Sequence, residues 1–151
     1  MFRRMTAPIT RPAPTVTDDS AVFWDAAAAG RLVAQRCADC GRLRHPPRPM
    51  CPVCHSLAVE VVELSGRGTV YSYSILHHPQ NPAFEYPVLA VLVDLDEGVR
   101  LVSNLTDCAT DDVRIGMPVE VHFVAAGPEG VTIPVFRPSV FRPVAVDGGA
   151  A

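Results

Sequence analysis

The residues best equipped for chemistry in this chain are four cysteines in two pairs, Cys37-Ala38-Asp39-Cys40 and Cys51-Pro52-Val53-Cys54. A Cys-x-x-Cys pair folds into a tight knuckle with both thiols on one side, so two knuckles can aim four sulfurs at one point. Four thiolates at the corners of a tetrahedron, about 2.3 Å from a divalent metal, close the site and leave no open position, which is the pattern of structural zinc. Gly41 supplies the backbone freedom needed just after the first knuckle, and Pro52 stiffens the turn inside the second. The interval between the pairs is short for a zinc ribbon but suffices for a small hairpin. The spacing favours zinc over iron in the same four-sulfur site, and over two disulfides or a Cys-x-x-Cys redox centre. His45 and His55 stand close by. Because four thiolates complete the shell, both are read as neighbours of the ligands or as solvent-facing.

Other reactive types are weaker candidates. Cys108 with His77, His78 or His122 would make a thiol and base pair. No glycine-rich elbow accompanies Cys108, and a lone cysteine reads first as a small packed hydrophobe. Asp94, Asp96 and Glu97 could hold a hard cation, but they sit in a hairpin-like turn ending at Gly98 and read as solvated. Asn104-Leu105-Thr106 matches the glycosylation sequon, which a strand in the cytosol makes irrelevant. Gly66-Arg67-Gly68 is too short for a phosphate loop. No catalytic residue is assigned, and no cofactor-binding residue beyond the metal ligands.

The elements that must position the cysteines follow from composition and pattern. A chain of 151 residues with 48% hydrophobic content fits one medium domain or two small modules with a packed core. The net charge is −3 and the basic residues are all arginine, so nothing marks an obligate polyanion binder. Four cysteines in metal spacing argue for a reducing compartment. Arg3 and Arg4 precede no apolar run, and no stretch approaches the about 20 apolar residues of a membrane span, so the expected location is cytoplasmic.

Residues 1–17, rich in Pro, Thr and Arg, read as a flexible arm. Residues 18–30 read as a helix, with an N-cap in Asp18-Asp19-Ser20 and a stop at Gly30. Phe23 shares a face with Ala26, Ala27 and Gly30, and Trp24 reads as core, with a partner-facing role as the alternative. Residues 31–64 hold the metal module: a strand over 31–36, an extended loop through Pro46-Pro47-Arg48-Pro49, and a strand over 57–64. So little apolar sequence needs its metal to fold.

From residue 65 to 143 the pattern is β. Tyr71, Tyr73 and Ile75 alternate with Ser72 and Ser74, and the apolar run 88–93 reads as a strand buried on both faces. Val99, Leu101, Ser103 and Leu105 mark a third strand, Val119, Val121 and Phe123 a fourth, and Val131, Ile133 and Val135 a fifth. A short helical link around 109–113 separates the third from the fourth. Five strands so arranged suggest the Greek-key barrel of an OB-fold. The tail repeats itself, Val135-Phe136-Arg137-Pro138 and then Val140-Phe141-Arg142-Pro143; the second copy does not continue the barrel past a proline and is expected along the surface, and 144–151 read as disordered.

Phe23-Trp24, the two cysteine knuckles with Gly41 and Pro52, Gly66-Arg67-Gly68-Thr69-Val70-Tyr71-Ser72, Asn104-Leu105, Arg114-Ile115-Gly116-Met117-Pro118-Val119 and Phe136-Arg137-Pro138 occur in this order. Together they resemble the DUF35 family of OB-fold proteins with a rubredoxin-like zinc ribbon, over roughly residues 20 to 140. The resemblance implies a mainly β protein with an N-terminal helix, a rubredoxin-like ribbon and a C-terminal five-stranded OB barrel, with a structural Zn2+ on Cys37, Cys40, Cys51 and Cys54. It also implies association with acyl-CoA metabolism, as partner of a thiolase or related condensing enzyme or of a MaoC-type enoyl-CoA hydratase. With no thiolase or hydratase segment, the chain is expected to be the stand-alone partner form.

Two functional classes follow. In one, the protein is a non-catalytic accessory subunit that assembles with a CoA-dependent enzyme and helps hold acyl-CoA at the shared interface, with Phe84, Tyr86, Phe141, Arg137 and Arg142 as anchors. In the other it binds single-stranded nucleic acid, as OB barrels and ribbons often do. That function needs a basic groove with stacked aromatics, whereas Arg67 and Arg100 are scattered among acids, so nucleic acid is the weaker reading.

Overall fold

A computed structural model describes residues 11–139. The helix α1 spans Ala21–Ala28 and turns Phe23, Ala26 and Ala27 inward, as the spacing predicts. It ends in a Schellman motif: Gly30, at φ +72°, donates to the Ala27 carbonyl at 2.9 Å, and the Arg31 N–H reaches the Ala26 carbonyl at 2.9 Å. Its start differs from expectation. Ser20 holds the N-cap position without a side-chain cap, because its Oγ turns back to accept the Thr17 N–H at 2.9 Å.

Three strands form the first sheet, β1 (Val33–Cys37), β2 (Leu43–Arg44) and β3 (Val59–Glu63), in antiparallel order β2-β1-β3. The central strand β1 carries Cys37 at its end. Val33 and Ala34 belong to the main core, and Val62 packs against it.

Five further strands follow: β4 (Arg67–Leu76), β5 (Val88–Leu95), β6 (Arg100–Asn104), β7 (Pro118–Ala126) and β8 (Val131–Pro138). They pair antiparallel in the order β6-β5-β4-β7-β8, and a parallel bridge between Leu105 and Phe136 brings the two edges together. The nearly closed five-stranded barrel of an OB-fold results. Helix α1 lies on β8 and β1, which explains why Val135 and Phe136 are both buried although they point to opposite faces of β8.

Several local expectations are corrected. The apolar run in β5 alternates: Leu89, Val91, Val93 and Leu95 are buried, while Val88, Ala90 and Leu92 are half-covered on the outer face. The aromatics of β4 do not share a face. A bulge between Val70 and Ser72 leaves Tyr71 unpaired and outward, whereas Tyr73 and Ile75 oppose the inward-facing Val91 and Leu89. The link at 106–117 forms turns rather than a helix, since a dozen residues that must also plug the barrel with the buried Val113 leave no room for a cooperative helical run. Phe136, in the first copy of the repeat, is fully buried in β8, while the second copy, 140–143, expected along the surface, lies outside the described residues.

Of the expected arm, residues 11–17 lie against the barrel. Arg11 Nη1 donates to Asn104 Oδ1 at 2.8 Å, its carbonyl accepts the Gly127 N–H, and Pro12 and Pro14 line a groove with Trp24 and Pro134.

Candidate metal centre

The two knuckles are built alike. In the first, the Gly41 N–H returns to the Cys37 carbonyl at 2.9 Å with Gly41 at φ +74°. In the second, the His55 N–H returns to the Cys51 carbonyl at 3.0 Å with His55 at φ +60°, so a histidine takes the left-handed position that glycine holds in the first.

Thus arranged, the four sulfurs converge. Cys37 Sγ lies 3.5 Å from Cys54 Sγ, Cys40 Sγ lies 3.7 Å from Cys51 Sγ, and all four fall within 4.8 Å of one another. A tetrahedron of bonds of about 2.3 Å has edges of about 3.8 Å, so the cluster matches the size of a four-thiolate zinc site. All four thiols are free, and the separations of 3.5 and 3.7 Å suit ligands of one ion rather than the about 2.05 Å of a disulfide bond. Cys37 and Cys51 are buried, and Cys40 and Cys54 are exposed, so the site sits at the surface of the ribbon.

The knuckles also prepare the ligands. The Cys40 and Asp39 N–H groups hold the Cys37 thiol below the ordinary thiol range. Those of Cys54 and Val53 bring Cys51 down to about 6. The Ser56 N–H pulls Cys54 the same way, yet the neighbouring Cys37 sulfur, desolvation, Cys40 and Cys51 together push it up to about 12. Backbone N–H groups of the knuckles thus favour the thiolate at Cys37 and Cys51, the form that binds a metal.

The remaining candidates go elsewhere. His55 is exposed. His45 packs against Phe23, ring centroids 5.0 Å apart, and burial lowers it to about 4. Cys108 packs at the edge of the core, where desolvation raises its thiol, and its Sγ donates to the Ala109 carbonyl at 3.4 Å. His122 Nε2 lies 2.6 Å from Thr106 Oγ1, and His77 and His78 are exposed. Asp94 takes both arms of Arg100, at 2.6 and 3.0 Å, and Glu97 Oε1 accepts the Ser65 N–H at 2.6 Å. Asp94 and one oxygen of Glu97 are therefore engaged within the fold, while Asp96 faces Arg67 at 3.9 Å. Phe84 and Tyr86 are half-buried rather than free, the Tyr86 hydroxyl accepting the Asn81 N–H and donating to the Pro79 carbonyl.

Two grooves flank the barrel. One, of about 700 Å³, lies beneath the 83–88 loop beside Arg11 and Asn104. The other, of about 540 Å³, runs between α1, the His45-Pro46-Pro47 segment of the ribbon and the β6 and β8 strands. Sequence reasoning missed two buried polar residues of the ribbon, Gln35 and Arg44. Alternation along β1 could have flagged Gln35, whose neighbours Val33 and Cys37 share its face.

A closed four-cysteine ribbon packed on an OB barrel defines a class of protein in which the metal staples a binding module. A family model described as "ChsH2, rubredoxin-like zinc ribbon domain" matches residues 24–60, and one described as "ChsH2, C-terminal OB-fold domain" matches 61–124. The chain belongs to the DUF35 family. It is 34% identical to a DUF35 domain-containing scaffold protein of Methanothermobacter thermautotrophicus, over 66% of this chain and 76% of that one. It is 52% identical to a probable enoyl-CoA hydratase alpha subunit of Thermomonospora curvata, over 86% of this chain but 40% of the relative. It is 41% identical to a 3-oxo-4,17-pregnadiene-20-carboxyl-CoA hydratase alpha subunit of Mycobacterium tuberculosis, over 74% of this chain and 35% of the relative. The chain thus spans well under half the length of these two. Among solved structures, it matches a chain of the Ltp2-ChsH2(DUF35) aldolase with a TM-score of 0.79 and 52% identity, over 85% of this chain and all of that one.

Proposed function

We propose that this chain is a non-catalytic subunit that assembles with a thiolase-like or enoyl-CoA hydratase-like enzyme of acyl-CoA or lipid metabolism, with acyl-CoA held at the shared surface. The observation that carries this reading is the 52% identity over the whole length of a DUF35 chain from an aldolase complex. The names of relatives agree, including a benzoylsuccinyl-CoA thiolase subunit of Thauera aromatica, 35% identical over 65% of its length. On the same reading Cys37, Cys40, Cys51 and Cys54 hold zinc. The ion supplies a cross-link and no reaction step. The chain's own residues contribute shape: the knuckles fix the ribbon, α1 fixes ribbon against barrel, and the two grooves offer walls for a partner and its ligand.

Nucleic acid remains the weaker reading, since the outer-face cations are offset by acids: Arg100 by Asp94 at 2.6 Å and Arg67 by Asp96 at 3.9 Å. Among the described residues no helix is long and apolar enough to cross a membrane. The working location remains the cytoplasm, on the ground of metal-ready thiols. The purified full chain should show no acyl-CoA hydration, thiolysis or retro-aldol cleavage alone, and turnover by it would defeat the reading.

A further inference from the structure

We propose that Arg44 is the internal counter-ion of the four-thiolate centre, positioned by Gln35. The proposal rests on the assignment of the four cysteines as metal ligands. Gln35 and Arg44 face each other across β1 and β2 and are each only 7% exposed, the buried polar side chains among the described residues. Arg44 Nε donates to Gln35 Oε1 at 2.8 Å, Arg44 Nη2 donates to the Arg48 carbonyl at 3.1 Å, and the Arg48 N–H donates to the same Gln35 oxygen at 2.9 Å. Gln35 precedes Cys37 by two residues on one strand and therefore shares its face, and Arg48 lies in the loop that leads to Cys51. The guanidinium thus bridges the strand that delivers one knuckle and the loop that delivers the other.

Its charge is what needs explaining. Among the described residues Arg44 Nη1 is closed off from solvent without a hydrogen-bond partner, and no carboxylate lies within ion-pair distance of Arg44. The other paired arginines of the ribbon have surface partners, Arg31 with Glu63 at 3.7 Å and Arg36 with Glu60 at 2.8 Å. A buried cation persists when an anion nearby compensates it. Residues 31–64 hold five arginines and three acids, a formal surplus of two positive charges. Four thiolates around a divalent ion carry the matching two negative charges. A neutral glutamine opposite Arg44 holds the guanidinium by hydrogen bonds while leaving its charge for the metal centre.

Substituting Gln35→Glu separates this role from simple packing, because it gives Arg44 a stronger local partner while spending its charge. Zn2+ affinity of the full-length chain, measured by competition with a chromophoric chelator, should fall at least about ten-fold in Gln35→Glu, within the range typical of residues that support metal ligands. Thermal unfolding at saturating Zn2+ should be unchanged or later. Arg44→Met should lose affinity to a similar degree and Arg44→Lys should recover most of it. Wild-type affinity in Gln35→Glu would overturn the counter-ion role. Absence of zinc from the wild type, or its retention in Cys51→Ser, would overturn the ligand assignment instead.

Discussion

Leu105 and Phe136 meet in the parallel bridge that closes the barrel, and Phe136 is fully buried there with its carbonyl accepting the Thr106 N–H at 2.8 Å. The contact brings together the two ends of the sheet order, and the Phe136 ring is part of the core there. Phe136→Ala should cost about 3–5 kcal/mol in denaturant unfolding and Phe136→Leu markedly less. A loss under about 1 kcal/mol would mean that the barrel does not depend on this closure.

Gly68 lies on β4 opposite Leu95 of β5, where there is no room for a side chain. A Cβ there would collide with the Asp94 carbonyl and come within 2.9 Å of Val93 Cγ1, whereas a Cβ at Gly98 would meet nothing within 4 Å. Gly68→Ala is expected to destabilise the barrel by about 1–3 kcal/mol through overpacking. Gly98→Ala, which carries only the strain of φ +85°, should cost about 1 kcal/mol. Equal melting shifts for the two would contradict the register described for β4 and β5.

How much of this was legible in advance depended on how local the cause was. The cysteine knuckles, the Gly30 stop and the inward faces of α1, β6 and β7 depend on spacing within a few residues, and the structure keeps all of them. The repeat of Phe136 with Phe141 is a local pattern that says nothing of burial, whereas the burial of Phe136 follows from Leu105, thirty-one residues earlier. The β4 bulge likewise depends on its partner strand β5, and the Gln35–Arg44 pair on strand pairing across a hairpin rather than on a pattern within one strand. Ser20 is the exception, a local signal overridden by a competing local bond to Thr17.

His45 predicts an acid limb. Burial lowers its folded pKa to about 4 from an ordinary 6.5, so between these values the unfolded chain binds the proton better. Stability from this group is complete above about pH 6.5 and is lost as the pH falls toward 4. His45→Gln should flatten that part of the difference curve against wild type, with metal loss common to both proteins. Parallel pH profiles would show that the ring against Phe23 is not shielded.

The metal module should behave as a unit. Elemental analysis should find about one zinc per chain, and chelation or Cys51→Ser should melt the ribbon while much of the barrel's β signal persists. Cys108→Ser, at the core edge, should leave the metal content unchanged. A metal-free chain of unaltered stability would contradict the site.

The central claim is assembly, and the mass of the complex tests it most directly. Co-expression with a thiolase-like or MaoC-type enzyme from the same source, followed by size exclusion with light scattering, should give a stable complex carrying two copies of this chain per enzyme dimer. Phe141→Ala, outside the described residues, should weaken it without unfolding the barrel. Elution of this chain as a separate species at micromolar concentrations with every such candidate would contradict the account.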